Sequence, residues 1–208
     1  MLISEHKQFI FIHIEKTGGT SVRAVLREHA IPRPQSRWYS LLRQAGLPRD
    51  YRHYRFPTHC GLSLVQSRLP PEDYQRFFKF AFVRNPWDRL VSEYNAALHK
   101  HRRRRHRHIA GLETFADYVR YEARRGKLHQ APRVLDRAGN PGLDFVGRYE
   151  NLAADFAIVC TRLGLANPLP VTNRFPHRPY QEYYDARTRD LVARHWQRDI
   201  ELFGYQFS

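Results

Sequence analysis

"FIFIHIEKTGGTSVRAVL", residues 9–26, changes periodicity once, and that change decides the fold class. Phe9 to Ile14 is β-branched and aromatic with almost no polar interruption, the pattern of a strand covered on both faces. Val22, Val25 and Leu26 then recur at helical spacing. Between them lie Lys16, Thr17, Gly18, Gly19, Thr20 and Ser21: a cation, two glycines and three hydroxyls in one strand-to-helix turn. Such a turn falls at the carboxyl edge of an α/β sheet, where ligands bind. There the helix N-terminus offers free N–H groups and a partial positive charge, and glycine lets the backbone approach closely. This is the composition of an anion cradle. It differs from the nucleotide-triphosphate P-loop, which places its lysine after the last glycine. Here the lysine comes first, and no aspartate partner for magnesium is evident after a later strand.

A second unit repeats the grammar. "FFKFAFVR", 77–84, predicts a strand, and "NPWDRLVSEYNAALHK", 85–100, a helix with Asn85 as N-cap, Pro86 in the first position and Asp88 in the first turn. Trp87, Leu90, Val91, Tyr94 and Leu98 form its apolar stripe, with Asp88, Ser92 and Asn95 off it. Arg84 ends the strand and Ser92 stands about two turns into the helix, so both fall within reach of one oxyanion at the same sheet edge.

A third unit is the strand "LDFVGRY", 143–149, and the helix "NLAADFAIVCTRLG", 151–164, with Leu152, Phe156, Val159, Cys160 and Leu163 on one side and Gly164 as stop. A last helix is predicted over 185–203, packing Val192, Trp196, Ile200 and Phe203. Residues 32–57 mix prolines, arginines and aromatics and predict a short helix in an irregular surface segment. There is no internal repeat. Alternating strands and helices predict a single α/β domain over 1–208, with a mainly parallel sheet flanked by helices and joined by right-handed crossovers.

The whole chain fits that reading. It has 208 residues, 42% hydrophobic, enough for one substantial core. Its formal charge of +15 marks a protein that attracts polyanions. The run "HKHRRRRHRH", 99–108, is cationic or can become so at every position, and such runs are usually solvated and mobile. It carries six formal charges, so the rest of the chain is still strongly basic. Zinc-finger spacing and RNP-like strands are missing, which weighs against a specific nucleic-acid module. Cys60 and Cys160 do not make a disulfide framework, and Cys160 reads as a buried thiol. No Cys/His cluster has metal-ligand spacing, so no metal is predicted. The first residues do not read as a signal peptide, and no apolar run approaches a bilayer span. The expectation is a cytoplasmic protein without a transmembrane segment.

"KTGGTS" after a first strand and "RNPWDRLVSEY" after a later one resemble the sulfotransferases that use 3′-phosphoadenosine-5′-phosphosulfate (PAPS). The closer resemblance is to the carbohydrate and heparan or uronyl 2-O-sulfotransferase branch and its bacterial relatives. "GRYENLAADF", 147–156, and "YYDARTRDLVARHWQRDIELFGYQF", 183–207, are similar to later blocks of the family. The resemblance implies the P-loop-like sulfotransferase fold. It also implies that Lys16, Thr17, Gly18, Gly19, Thr20 and Ser21 grip the 5′-phosphosulfate, and that Arg84 and Ser92 grip the 3′-phosphate. The family often has proline before the lysine; here it is Glu15, a carboxylate able to pair with Lys16 or to point away.

The implied activity moves a sulfonate group from PAPS to a hydroxyl, less readily an amine, of a carbohydrate acceptor, leaving 3′-phosphoadenosine-5′-phosphate (PAP). An anionic glycan would suit the charge. Lys16 is then placed to stabilise the leaving phosphate. His59, in "FPTHCGL", occupies the position of the branch's catalytic histidine and has the pKa range of a general base. Glu93 and Glu150 are alternatives for that role. Tyr149 is a candidate to stack on adenine, and Arg174 or Arg178 to close over the cofactor. Two other functions fit parts of the sequence: a P-loop-type nucleotide phosphotransferase, and a basic protein that binds polyanions or nucleic acid.

Overall fold

In the computed structural model, residues 1–32, 50–99, 104–166, 169 and 178–208 are described. They form β1 (Leu2–Ser4), β2 (Phe9–Ile12), α1 (Gly19–Leu26), α2 (Leu62–Gln66), α3 (Pro71–Arg76), β3 (Phe78–Val83), α4 (Pro86–His99) and α5 (Arg104–Ala110). Then follow α6 (Phe115–Arg125), α7 (Ala131–Val134), β4 (Phe145–Arg148), α8 (Leu152–Leu163), α9 (Ala186–His195) and α10 (Gln197–Phe203). Most of the predicted segment 32–57 and Arg174 lie outside the described residues.

The sheet runs β1-β2-β3-β4, with β2, β3 and β4 parallel. The α/β architecture with a mainly parallel sheet is therefore as the sequence predicts. The edge strand β1, antiparallel to β2 with Leu2 opposite Phe11, is an addition. Three residues are too few to display an alternation.

Register explains why β2 and β3 are apolar on both faces. Phe9 lies opposite Phe78 and Phe11 opposite Phe80, and the Phe11 and Phe80 rings stack 5.3 Å apart. This face packs against Val22 and Leu26 of α1 and Phe156, Val159 and Cys160 of α8. The alternate residues Ile10, Ile12, Ile14, Ala81 and Val83 face the other way, onto Tyr51, Phe56, Leu62, Val65 and Phe203. Cys60 belongs to that second face and Cys160 to the first, and both are free thiols. A third cluster joins α4, α6 and α9 through Trp87, Leu90, Tyr118, Val119, Val192 and Trp196.

The second unit starts as predicted, with the Trp87 N–H donating to Asn85 Oδ1 at 3.1 Å. Gly164 ends α8 in the left-handed conformation. The last predicted helix is broken in two. At Trp196 the backbone leaves helical ψ, while the indole N–H donates to the Leu128 carbonyl at 3.0 Å and the ring is buried. Residues 104–108 of the basic run are helical in α5, and Arg105 turns inward onto two carboxylates. No helix among the described residues is long and apolar enough to cross a membrane.

Candidate active site

The β2–α1 turn is held in an unusual shape. Lys16 has φ 67° and Gly18 φ 77°, both left-handed, and Gly18 is the N-cap of α1. A non-glycine residue there costs about 1–2 kcal/mol, so the surroundings must enforce it. A Cβ on Gly19 would lie 2.1 Å from Cδ2 of His13, and one on Gly18 would lie 2.4 Å from a Leu152 methyl. Only glycine fits both positions as they stand. No side chain caps α1, so the Gly19 and Thr20 amides have no side-chain acceptor, while the Ser21 and Val22 N–H groups donate to the Gly18 carbonyl at 3.0 and 3.4 Å. Thr17 is 1% exposed, and its hydroxyl donates to the Ile14 carbonyl at 3.0 Å. It fastens the turn. Ser21 is buried, and Thr20 is exposed.

The end of β3 meets this turn. Arg84 is 4% exposed; its Nε donates to Asp88 at 2.7 Å, and its Nη1 to the Lys16 carbonyl at 3.3 Å. Its guanidinium lies 3.9 Å over the Tyr149 ring. The Gln130 side chain pairs with both the N–H and the C=O of Arg84, at 2.9 and 2.8 Å. Loop, Arg84 and Tyr149 thus lie together, and one face of Tyr149, the candidate to stack on adenine, is taken by Arg84. Ser92 is half-buried on α4.

Two basic residues that sequence reasoning missed complete the support. Arg89 is buried; its Nε donates to the Glu15 carbonyl at 2.8 Å, and its Nη1 to the Leu128 carbonyl. Burial pulls its pKa below the usual arginine range. The Glu15 carboxylate faces Arg89 Nη2 at 3.8 Å. Glu15 therefore leans on Arg89. Lys16 instead has the Glu93 carboxylate 3.9 Å away.

The second is His13, at the end of β2. It is 7% exposed, stacks on Phe11 and lies 4.6 Å from His59, centroid to centroid. His59 Nδ1 is 3.0 Å from the His13 carbonyl. A carbonyl only accepts, so Nδ1 carries the proton and Nε2 is left with its lone pair. Burial first, then the neighbouring His59, pushes His13 down to about 2. Burial also lowers His59, opposed by Glu15. Both rings are neutral near pH 7, and a half-buried neutral imidazole beside an anion cradle is equipped to take a proton. The signal for His13 was a lone polar residue inside an apolar strand, which says nothing about its neighbours.

The other candidates are otherwise engaged. Glu150 accepts from the Asn85 N–H at 2.7 Å and the Tyr205 hydroxyl at 3.1 Å. Glu93 is held by Arg105 as well as Lys16. Arg178 is exposed and pairs with Glu182 at 3.5 Å.

Among known proteins, a 153-residue stretch is 31% identical to carbohydrate sulfotransferase 14 of Danio rerio, covering 61% of this chain and 40% of that protein. A 110-residue stretch is 29% identical to an uncharacterized protein of Archaeoglobus fulgidus, covering 52% of this chain and 85% of that one. This chain thus matches well under half the length of its zebrafish relative. No solved structure is a significant match. The description that spans the molecule, strand-end lysine and glycines through to the last helix, is "Sulfotransferase family", matched over residues 1–206, and the chain belongs to the sulfotransferase family.

Proposed function

We propose that this protein moves a sulfonate group from PAPS to a hydroxyl of a carbohydrate, with His59 as general base and Lys16 stabilising the leaving phosphate. The single observation that carries this reading is the join between base and cradle. His59 is locked on the His13 carbonyl, and the His13 ring occupies the space beside Gly19.

The residues fit an anionic nucleotide: a glycine pair too tight for any Cβ, uncapped helix amides, a lysine and a buried arginine. The amides of residues 17–20, the Ser21 side chain and Lys16 would hold the 5′ end, and Arg84 with Ser92 the 3′-phosphate. When bound, PAPS supplies the activated sulfonate. The chain's part is then positioning, charge stabilisation and proton removal. The loop amides cost no reorganisation when charge grows on the phosphate oxygen, because α1 already aims them. His59 Nε2 takes the acceptor proton, and the resulting imidazolium keeps its Nδ1–H on the His13 carbonyl. The named relative supports a carbohydrate acceptor, and the charge of +15 supports an anionic one. Equal rates on neutral and anionic glycans would remove that last refinement.

The test is calorimetric titration with PAP, beside ATP and AMP with magnesium. A magnesium-independent preference for PAP is expected, weakened about 10- to 100-fold by Arg84→Ala through loss of charge-assisted hydrogen bonds. A magnesium-dependent preference for ATP would instead favour a phosphotransferase.

A further inference from the structure

The basic run reaches the anion loop through a chain of charges. Glu93, on α4, has Lys16 Nζ 3.9 Å from one oxygen, and its other oxygen accepts from Arg105 Nη1. Arg105, on α5, also donates from Nη2 to Glu122 on α6, at 2.6 Å. Glu122 is fully buried and pairs in turn with Arg125 at 2.7 Å. The order is Lys16, Glu93, Arg105, Glu122, Arg125: three cations alternating with two carboxylates, drawn from the loop and three helices.

Arg105 takes no direct part in the proposed transfer. Its geometry nevertheless bears on the loop lysine. Glu93 is a carboxylate beside the very ammonium that must face an anion, and a bare carboxylate there would compete with that anion for Lys16. Arg105 contacts Glu93 directly, whereas Lys16 sits at the long end of ion-pair range. The nearer and stronger partner takes the larger share of the carboxylate's charge. A forked guanidinium suits the post, since it meets Glu93 with one nitrogen and Glu122 with the other; a lysine offers one point charge.

We propose that Arg105 is a positioning residue of the anion loop: by engaging Glu93 it keeps that carboxylate from capturing Lys16. The inference rests on the reading in which Lys16 grips the 5′-phosphate of the nucleotide. It assigns to Arg105 a role distinct from that of the exposed Arg104 and Arg107 beside it, and it makes α5 part of the nucleotide site without touching the nucleotide.

The experiment measures PAP affinity by calorimetry, with thermal midpoints alongside, for wild type, Arg105→Gln, Glu93→Gln and the double variant, and for the first two in a Lys16→Ala background. Arg105→Gln should weaken PAP roughly 3- to 10-fold, the size expected of directly coupled neighbours. Adding Glu93→Gln should return affinity to within about 2-fold of wild type, because the competitor is gone. In Lys16→Ala, the Arg105→Gln step should have almost no effect on affinity. A purely structural arginine would lower the thermal midpoint and leave affinity of the folded protein unchanged, and that result overturns the proposal. So does a loss of affinity that persists without Lys16. If Arg105→Gln does not fold, Arg105→Lys decides: it should fall between wild type and the loss expected above, and wild-type affinity overturns the proposal. Wild type that fails to bind PAP would overturn the functional reading itself. Binding that depends on Lys16 but is indifferent to Arg105 would overturn this inference alone.

Discussion

The Arg84 guanidinium donates to the main-chain carbonyl of Lys16 at 3.3 Å, so the arginine of the second motif holds the backbone of the first. One turn into α4, Arg89 does the same for the preceding carbonyl, Glu15, at 2.8 Å. Two successive peptide units are thereby tied to β3 and α4. These are the units that flank the left-handed turn at Lys16. The strain of that turn is thus balanced by donors from another part of the chain, as expected where backbone outliers persist.

Arg89 is therefore a stability residue that acts on the site. Arg89→Met removes the donor to Glu15 and Leu128 and leaves both carbonyls, already screened from water, without it. The loss should be about 3 kcal/mol, the range for breaking a buried charged contact on one side. Chemical denaturation of wild type and variant reads it directly. A change below about 1 kcal/mol would mean that Arg89 is no clamp, since that is the typical effect of an ordinary substitution.

Gly19 gives a second prediction, because its neighbour is the His13 ring and not flexible chain. Gly19→Ala forces a methyl to within 2.1 Å of an aromatic carbon packed between Phe11 and His59. Overpacking of this kind costs roughly 1–3 kcal/mol and displaces the loop. Thermal unfolding should show the loss, and PAP affinity should fall with it. His13→Ala in the same chain should recover part of both. If the double variant is no better than Gly19→Ala alone, the ring is not what excludes the methyl.

How far the sequence spoke depended on distance along the chain. The β2 turn, the strand ending at Arg84, the Asn85 cap and the Gly164 stop are local patterns, each contained in a few residues, and each is found in place. The break at Trp196 depends on a carbonyl at Leu128, 68 residues away, so helical periodicity ran straight through it. Arg89 gave no sequence signal and Arg105 read as one charge of a solvated run, because their partners, Glu15, Leu128, Glu93 and Glu122, come from other elements. His59 was singled out by its place between motifs, but its tautomer required the His13 carbonyl, 46 residues away.

Acid should weaken the fold through His13. Its folded pKa is about 2 and its unfolded value 6.5, so between these limits the unfolded chain binds the extra proton. Stability from this group is full above pH 6.5 and is lost as pH falls below it, by up to about 1.4 kcal/mol per unit. His13→Asn cannot take up that proton. Denaturation at pH 5.0 and 7.5 should therefore show a larger acid penalty in wild type than in the variant. Equal penalties would show that the buried ring carries none of it.

The choice of base can be settled by contrast between His59 and Glu150. Glu150 uses its two oxygens to hold the Asn85 N–H and the Tyr205 hydroxyl, and glutamine retains an acceptor for the first. Glu150→Gln should thus keep sulfonate transfer within about 10-fold of wild type, losing positioning and not proton removal. His59→Ala should lower kcat about 10²- to 10⁴-fold with PAP affinity little changed. The pH profile sharpens the test. Because burial lowers the folded pKa of His59, the neutral base fills above that pKa, and kcat/KM should rise with pH along an acid limb displaced below the ordinary histidine range. In Glu150→Gln the acid limb should stay in place; its disappearance there, with His59 intact, would give the proton to the glutamate instead.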